Sequence, residues 1–115
     1  EVLALTRERR VGARALVHDT IALPLPLFAR LQVPVGQDLA EELYVLYQRD
    51  CGVTVARAED RISPEPASVP VARSLGVAPA TPILRIVRIA FGLDGSAVEH
   101  RVSRTARLDY AVAIE

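Results

Sequence analysis

Arg7 and Arg9 are the residues whose type and spacing most directly suggest chemistry. They lie two apart in VLALTRERRV, an alternating run that reads as a β-strand, so both side chains leave the same face. A pair of guanidinium groups placed this way is a fork suited to carboxylate or phosphate. The plainer reading is two exposed arginines at a strand end beside Glu8, and spacing alone favours it. Asp19, on the return strand, could accept hydroxyls from a ligand or orient Arg7 or Arg9; it reads equally well as a turn or capping residue ahead of Pro24. His18 beside it reads as a surface or satisfied strand residue. Glu99 and Arg101 share a strand face, and as bare charges they make a solvent-facing pair worth about 0.2–1 kcal/mol. Arg57, Glu59 and Arg61 read as a solvated strand face or a dimer edge, and Cys51 as a packing residue. No Ser-His-Asp set, metal-ligand spacing or nucleotide-binding loop is present, so no catalytic residue, metal or cofactor is expected.

The elements that must position these residues are legible from periodicity. Thr81 to Arg104 holds two branched apolar segments joined through Asp94-Gly95, a strong hairpin signal. Its first arm puts Leu84, Ile86, Arg88 and Ala90 on one face and Ile83, Arg85, Val87, Ile89 and Phe91 on the other, which predicts an interior strand. The start of the chain repeats the pattern. Val2 aligns with Ile83, Arg7 with Arg88 and, after one gap, Gly12 with Gly95, which predicts a second hairpin returning through Arg14 to Ala22. By this repeat Arg88 stands in the place of Arg7 and is expected half-buried with a carboxylate partner.

Between the hairpins, Pro24 and Pro26 precede a short predicted helix over Leu25 to Leu31. Asp38 to Glu41 has the form of a capping box, and a helix follows to about Asp50 with Leu39, Leu43, Leu46 and Tyr47 as its buried stripe and Gly52 as its stop. A strand is predicted over Val53 to Ser63, a helix over Ala67 to Leu75 closed by Gly76, and a last strand over Leu108 to Ile114. The order β-β-α-α-β-α-β-β-β with tight turns predicts an α+β fold, an antiparallel β-sheet with helices packed on one face.

Composition bounds the rest. A chain of 115 residues is a single domain with one sizeable core, built from Leu, Val, Ile and Ala because Trp and Met are absent. Fourteen acidic residues balance fourteen basic ones, all arginine, which argues against this segment itself gripping nucleic acid. One Cys excludes an internal disulfide and fits a reducing cytoplasm, and no run is long and apolar enough for a membrane span. The chain begins mid-strand with Glu1 and lacks Met, so a fragment of a longer protein is expected.

Five ordered pieces, LTRERR, DTIALPLPLFARL, ELYVLYQRDCGV, ARSLGVAPATPILRIVRIAF and DGSAVEHRVSRTARLDY, together resemble the UTRA domain, the C-terminal module of GntR-type transcription regulators of the HutC subfamily. The resemblance covers essentially all of residues 1–115. It implies a chorismate-lyase-like fold, a homodimer, and a pocket for a small anionic or polar effector such as a sugar phosphate, carboxylate or amino-acid derivative. It also implies that operator DNA is met only through an N-terminal winged-helix domain absent from this chain, as is the first segment of the UTRA pattern, and that the effector alters that domain's affinity for its operator; whether the whole is a repressor or an activator stays open.

In similar domains the Arg-x-Arg strand lines the effector pocket, and an acidic residue stands where Asp19 does. The family's Ser-x-Tyr pattern falls on Glu42 and Tyr44; Glu42 departs from the hydroxyl expected there, and a carboxylate would repel a phosphate unless an arginine intervened. Glu99 matches a pocket position, and Thr105 falls where an aromatic residue is common. The resemblance thus implies a ligand site of Arg7, Arg9, Asp19, Glu42, Tyr44, Glu99 and Thr105. Two other readings stay open: a lyase-like enzyme on the same fold, with Asp19, Glu99 or Glu42 as acid or base, and a dimerisation module without ligand.

Overall fold

The computed structural model describes residues 1–11, 14–33 and 43–108. Five strands alternate with two helices: β1 (Val2–Val11), β2 (Arg14–Pro24), α1 (Leu43–Cys51), β3 (Val55–Pro66), α2 (Val69–Leu75), β4 (Pro82–Gly92) and β5 (Ala97–Thr105). The strands form one antiparallel sheet in the order β1-β2-β5-β4-β3. Both sequence-predicted hairpins are present. β4 lies between β5 and β3, as its two apolar faces require. At the β4–β5 turn Gly95 takes φ 83°, a left-handed conformation that glycine adopts without a Cβ penalty. Asp94 Oδ1 holds the turn by accepting from the Ser96 amide at 3.0 Å and its hydroxyl at 2.6 Å.

The inner strands of the two related hairpins, β2 and β5, pair with each other across positions such as Thr20 and Val102. The hairpins therefore face one another in a roughly two-fold arrangement, with Arg7 opposite Asp19 in one and Arg88 opposite Arg101 in the other.

Hydrophobic burial holds both helices to the sheet. Leu43, Leu46 and Tyr47 recur on one stripe of α1 and pack with Leu23, Phe28 and Ala90, all buried. Phe28 meets the Tyr47 ring edge-on, with centroids 4.9 Å apart, and each such fully buried side chain contributes about 1.5–3 kcal/mol. Val71, Ala72 and Leu75 of α2 pack instead with Ala67 and Ile83. The two helices thus build separate apolar clusters along the sheet, which helical periodicity alone does not decide. Ser68 caps α2 by accepting from the Val71 amide at 3.4 Å, and Gly76, at φ 70°, ends it by donating to the Ala72 carbonyl.

The short helix predicted over Leu25 to Leu31 does not form. Residues 25–30 are hydrogen-bonded turns, with Phe28 bonded to Pro24, Ala29 to Pro26 and Leu31 to Phe28. Two prolines in three positions remove amide donors, so no continuous ladder builds. Phe28 is buried, whereas Leu27 is exposed. α2 starts at Val69 rather than Ala67, and β3 runs on to Pro66. The capping box at residues 38–41 and the strand expected over residues 108–114 lie outside the described residues, save Leu108, which is not in a strand.

Candidate functional site

Alternation puts one residue in two of each strand on the face that carries α1. On β1 and β2 this row includes Arg7, Arg9 and Asp19, with Arg7 and Asp19 directly opposite in register. Asp19 is fully buried and accepts three side-chain donors: Arg7 Nε at 2.7 Å, Arg9 Nε at 3.1 Å and the Ser103 hydroxyl at 2.5 Å. Burial pushes the Asp19 pKa up, but the Ser103 hydroxyl and the two guanidinium groups outweigh it and hold the carboxyl below its ordinary range. A carboxylate kept ionised in this way is a poor proton donor or acceptor near neutral pH. It is a good clamp for two arginines.

The clamp leaves donors over. Only Nε of Arg7 is engaged, so its two terminal nitrogens have no acceptor among the described residues, and the side chain remains 18% exposed. Arg9 stands further out, half exposed. Two guanidinium groups share one carboxylate, so the cluster keeps a positive charge.

On the central strand β5, the same face presents Glu99, Arg101, Ser103 and Thr105 in succession, all buried. Arg101 grips Glu99 through two bonds, Nε to Oε1 at 2.9 Å and Nη2 to Oε2 at 2.8 Å, and the Tyr47 hydroxyl donates a short bond to Glu99 Oε2. Burial first, then the Glu99 charge and hydrogen bond, push the Tyr47 phenol well up, so it stays protonated. The Tyr44 ring lies 5.4 Å from the Arg101 guanidinium carbon, and the Tyr44 hydroxyl accepts from Arg88 Nη1 at 3.4 Å. Arg88 also donates two bonds to Asp60 of β3, at 2.8 and 3.0 Å. A polar chain therefore runs from α1 through β5 and β4 to β3.

The structure thus brings Arg7, Arg9 and Asp19 together and sets Glu99 and Tyr44 along the same face, joined by Arg101. Thr105 is buried at the end of the row, where its hydroxyl donates to the Leu16 carbonyl at 2.8 Å and accepts from the Arg107 amide at 3.1 Å. Glu42 lies outside the described residues. The solvent-facing reading of Glu99 and Arg101 is overturned, because α1 covers both, and Asp19 is a mid-strand residue rather than a cap. Arg88 has the half-buried position and carboxylate partner that the repeat predicts. Ser103 and Tyr47 were missed: Ser103 shows only as part of the polar two-residue repeat on β5, and Tyr47 was legible only as an apolar stripe residue. Among the described residues no group of His, Cys, Asp and Glu could hold a metal ion, and no helix is long and apolar enough to cross a membrane.

The fold is that of ligand-binding domains in a group of bacterial regulators. The ligand-binding domain of a Bordetella bronchiseptica protein assigned to the GntR-family transcriptional regulators superposes with a TM-score of 0.88 at 25% identity, over 99% of this chain and 72% of that one. PhnF from Mycobacterium smegmatis has the same fold, with a TM-score of 0.83 at 23% identity over 99% of this chain and 50% of its own. In sequence, the HTH-type transcriptional regulator Rv0792c of Mycobacterium tuberculosis is 31% identical over 117 aligned positions, covering 99% of this chain. The chain spans 44% of that regulator's length. The UTRA domain profile matches residues 1–110. The chain belongs to the UTRA domain family, the effector-binding domain of GntR-family transcription regulators.

Proposed function

We propose that this domain binds a small anionic effector over the Asp19 cluster and passes the binding on to a winged-helix domain of the full regulator, changing that domain's affinity for its operator. The observation that carries this reading is the half-used fork of Arg7, anchored by Nε to a buried carboxylate while its terminal nitrogens have no acceptor among the described residues. Anchoring fixes the guanidinium before a ligand arrives, which lowers the ordering cost of binding. A carboxylate or phosphate group would meet Arg7 and Arg9, with Asp19 orienting both. Tyr44 and Glu99 would face the remainder of the ligand, Glu42 would contribute from the segment between β2 and α1, and Thr105 would support the floor of the site. The rest of the reading is a HutC-type repressor that acts in the cytoplasm as a homodimer.

For a ligand to regulate, its affinity must differ between two states of the protein. Helix α1 suits that role, because Tyr44 and Tyr47 tie it to Arg88 and Glu99 on the sheet beneath. The test is a thermal-shift screen of the full-length regulator against sugar phosphates, carboxylates and amino acids, repeated with Arg7→Ala and Arg9→Ala. A hit should raise the melting temperature of the parent protein and lose at least tenfold in affinity in either variant, about 1.4 kcal/mol. If no anion shifts the parent and both variants release operator normally, the site is wrong.

A further inference from the structure

We propose that Arg101 sets the ligand class of the site: it closes Glu99 to the effector and offers its own spare terminal nitrogen instead. The far end of the anion is then a carbonyl-type acceptor, a second carboxylate or an amide, and not an ammonium group. This rests on the anion reading above and adds to it what the ligand carries away from Arg7 and Arg9.

A carboxylate in a binding site ordinarily accepts from a ligand's hydroxyl or ammonium group. Glu99 has no surface left for that. Its side chain is wholly covered, its Oε1 accepts from Arg101 Nε, and its Oε2 accepts from both Arg101 Nη2 and the Tyr47 hydroxyl. Burial and the Glu99 charge hold the Tyr47 phenol well above its ordinary range, so that hydroxyl keeps its proton and goes on donating. Asp19, the other carboxylate of this face, is likewise covered by Arg7, Arg9 and Ser103. Both acids lie beneath the side chains they hold, and what a ligand meets here is donors.

Arg101 spends Nε and Nη2 on Glu99. Its Nη1 has no acceptor among the described residues, and the side chain remains 10% exposed beside the Tyr44 ring. Two parallel bonds hold the guanidinium, so it cannot swing aside and admit a ligand to Glu99 without breaking both. An ammonium group placed here would meet a cation and no uncovered carboxylate, whereas a carbonyl oxygen would pair with the nitrogen left over. Glu99 thus shapes the far end of the site through Arg101. In register, Arg7 stands opposite Asp19, Asp19 opposite Ser103, and Arg101 lies two residues along from Ser103. Strand spacing of about 4.8 Å and a rise of about 3.4 Å per residue put the Arg7 and Arg101 Cα atoms about 12 Å apart, a gap for a short chain with an acceptor at each end.

The test is calorimetric titration of the full-length regulator with matched sets of four to six carbons: the α,ω-dicarboxylate, its monoamide and the ω-amino acid of equal length. In the parent, the diacid and the monoamide should each bind at least tenfold tighter than the amino acid. Arg101→Ser uncovers Glu99 and should erase or reverse that order. Glu99→Gln keeps the shape of the side chain but leaves the Arg101 charge unbalanced, and should widen the preference for the diacid over the amino acid at least threefold. Melting curves verify folding, and Glu99→Gln carries the test alone if Arg101→Ser does not fold. A parent that binds the amino acid as tightly as the diacid, or a ratio that Glu99→Gln leaves unchanged, would overturn the role of Arg101 and leave the anion site standing. Binding of none of these acids would overturn the ligand class, and the wider anion screen above then decides whether the Arg7 and Arg9 site falls with it.

Discussion

Asp19→Asn tests the energetics of the site most directly, since the substitution keeps the shape of the side chain and removes its charge. The parent carboxylate is fully buried and accepts from Arg7, Arg9 and Ser103. Asparagine can still accept through one oxygen from Ser103 or one arginine. The lost quantity is the charge-assisted part of the arginine bonds together with the isolation of Arg7. A bond to a charged group contributes about 1.5–3 kcal/mol, and that range applies to Arg7, which is 18% exposed. Arg9 is half exposed and turns to water, so its share is discounted to about 0.5 kcal/mol. The expected loss is about 3 kcal/mol at pH 7, or roughly 10 °C in melting temperature for a domain of this size.

Linkage gives a second signature of the same substitution. Asp19 has its folded-state pKa depressed below 3.8, so its contribution is fully present above that value and fades as the pH falls through the folded pKa. Urea unfolding of both proteins from pH 7 down to pH 2.5 should show the gap between them closing below pH 3.8. A loss under 1 kcal/mol at neutral pH, or a gap that stays constant into acid, would refute the account of Asp19 as a paired buried carboxylate.

Other outcomes follow from the same geometry. Tyr47→Phe removes one donor from Glu99 while both Arg101 bonds remain, so urea unfolding should register a loss of about 1–2 kcal/mol. Glu99→Ala strands a buried Arg101 without its partner and should cost more, about 3–5 kcal/mol by the same measurement. Gly95→Ala places a Cβ in a left-handed turn where nothing lies within 4 Å, so thermal unfolding should show only the backbone penalty of about 1 kcal/mol.

The sequence was most readable where structure is local. Two-residue alternation and an Asp-Gly turn marked both arms of the β4–β5 hairpin, and glycines at 52 and 76 marked the ends of both helices. The Arg7 and Arg9 fork was legible for the same reason, being a spacing within one strand. What escaped depends on contacts between distant segments. Ser103 reaches Asp19 across 84 positions, and nothing in either neighbourhood announces which strands will meet. Arg101 looked exposed because the pattern of β5 cannot show that α1 lies across it. The prolines at 24 and 26 punctuate the chain after β2 as expected, but a helix start and a set of turns share that signal.

The strand order also constrains when this domain can exist. β5 is the last described strand to be synthesised, yet it sits in the middle of the sheet, and without it β1–β2 and β3–β4 have no strand contact with each other. A nascent chain can close the first hairpin early, because its partners are near in sequence. The pairing of β2 with β5 must wait until residues 97–105 have been made, and such long-range closure is the slow part of folding. Until then Asp19 lacks Ser103, and the Glu99–Arg101 pair is missing from the face. A chain cut short before residue 97 would keep Arg7, Arg9 and Asp19 and lose the strand whose Ser103 and Arg101 complete the polar face.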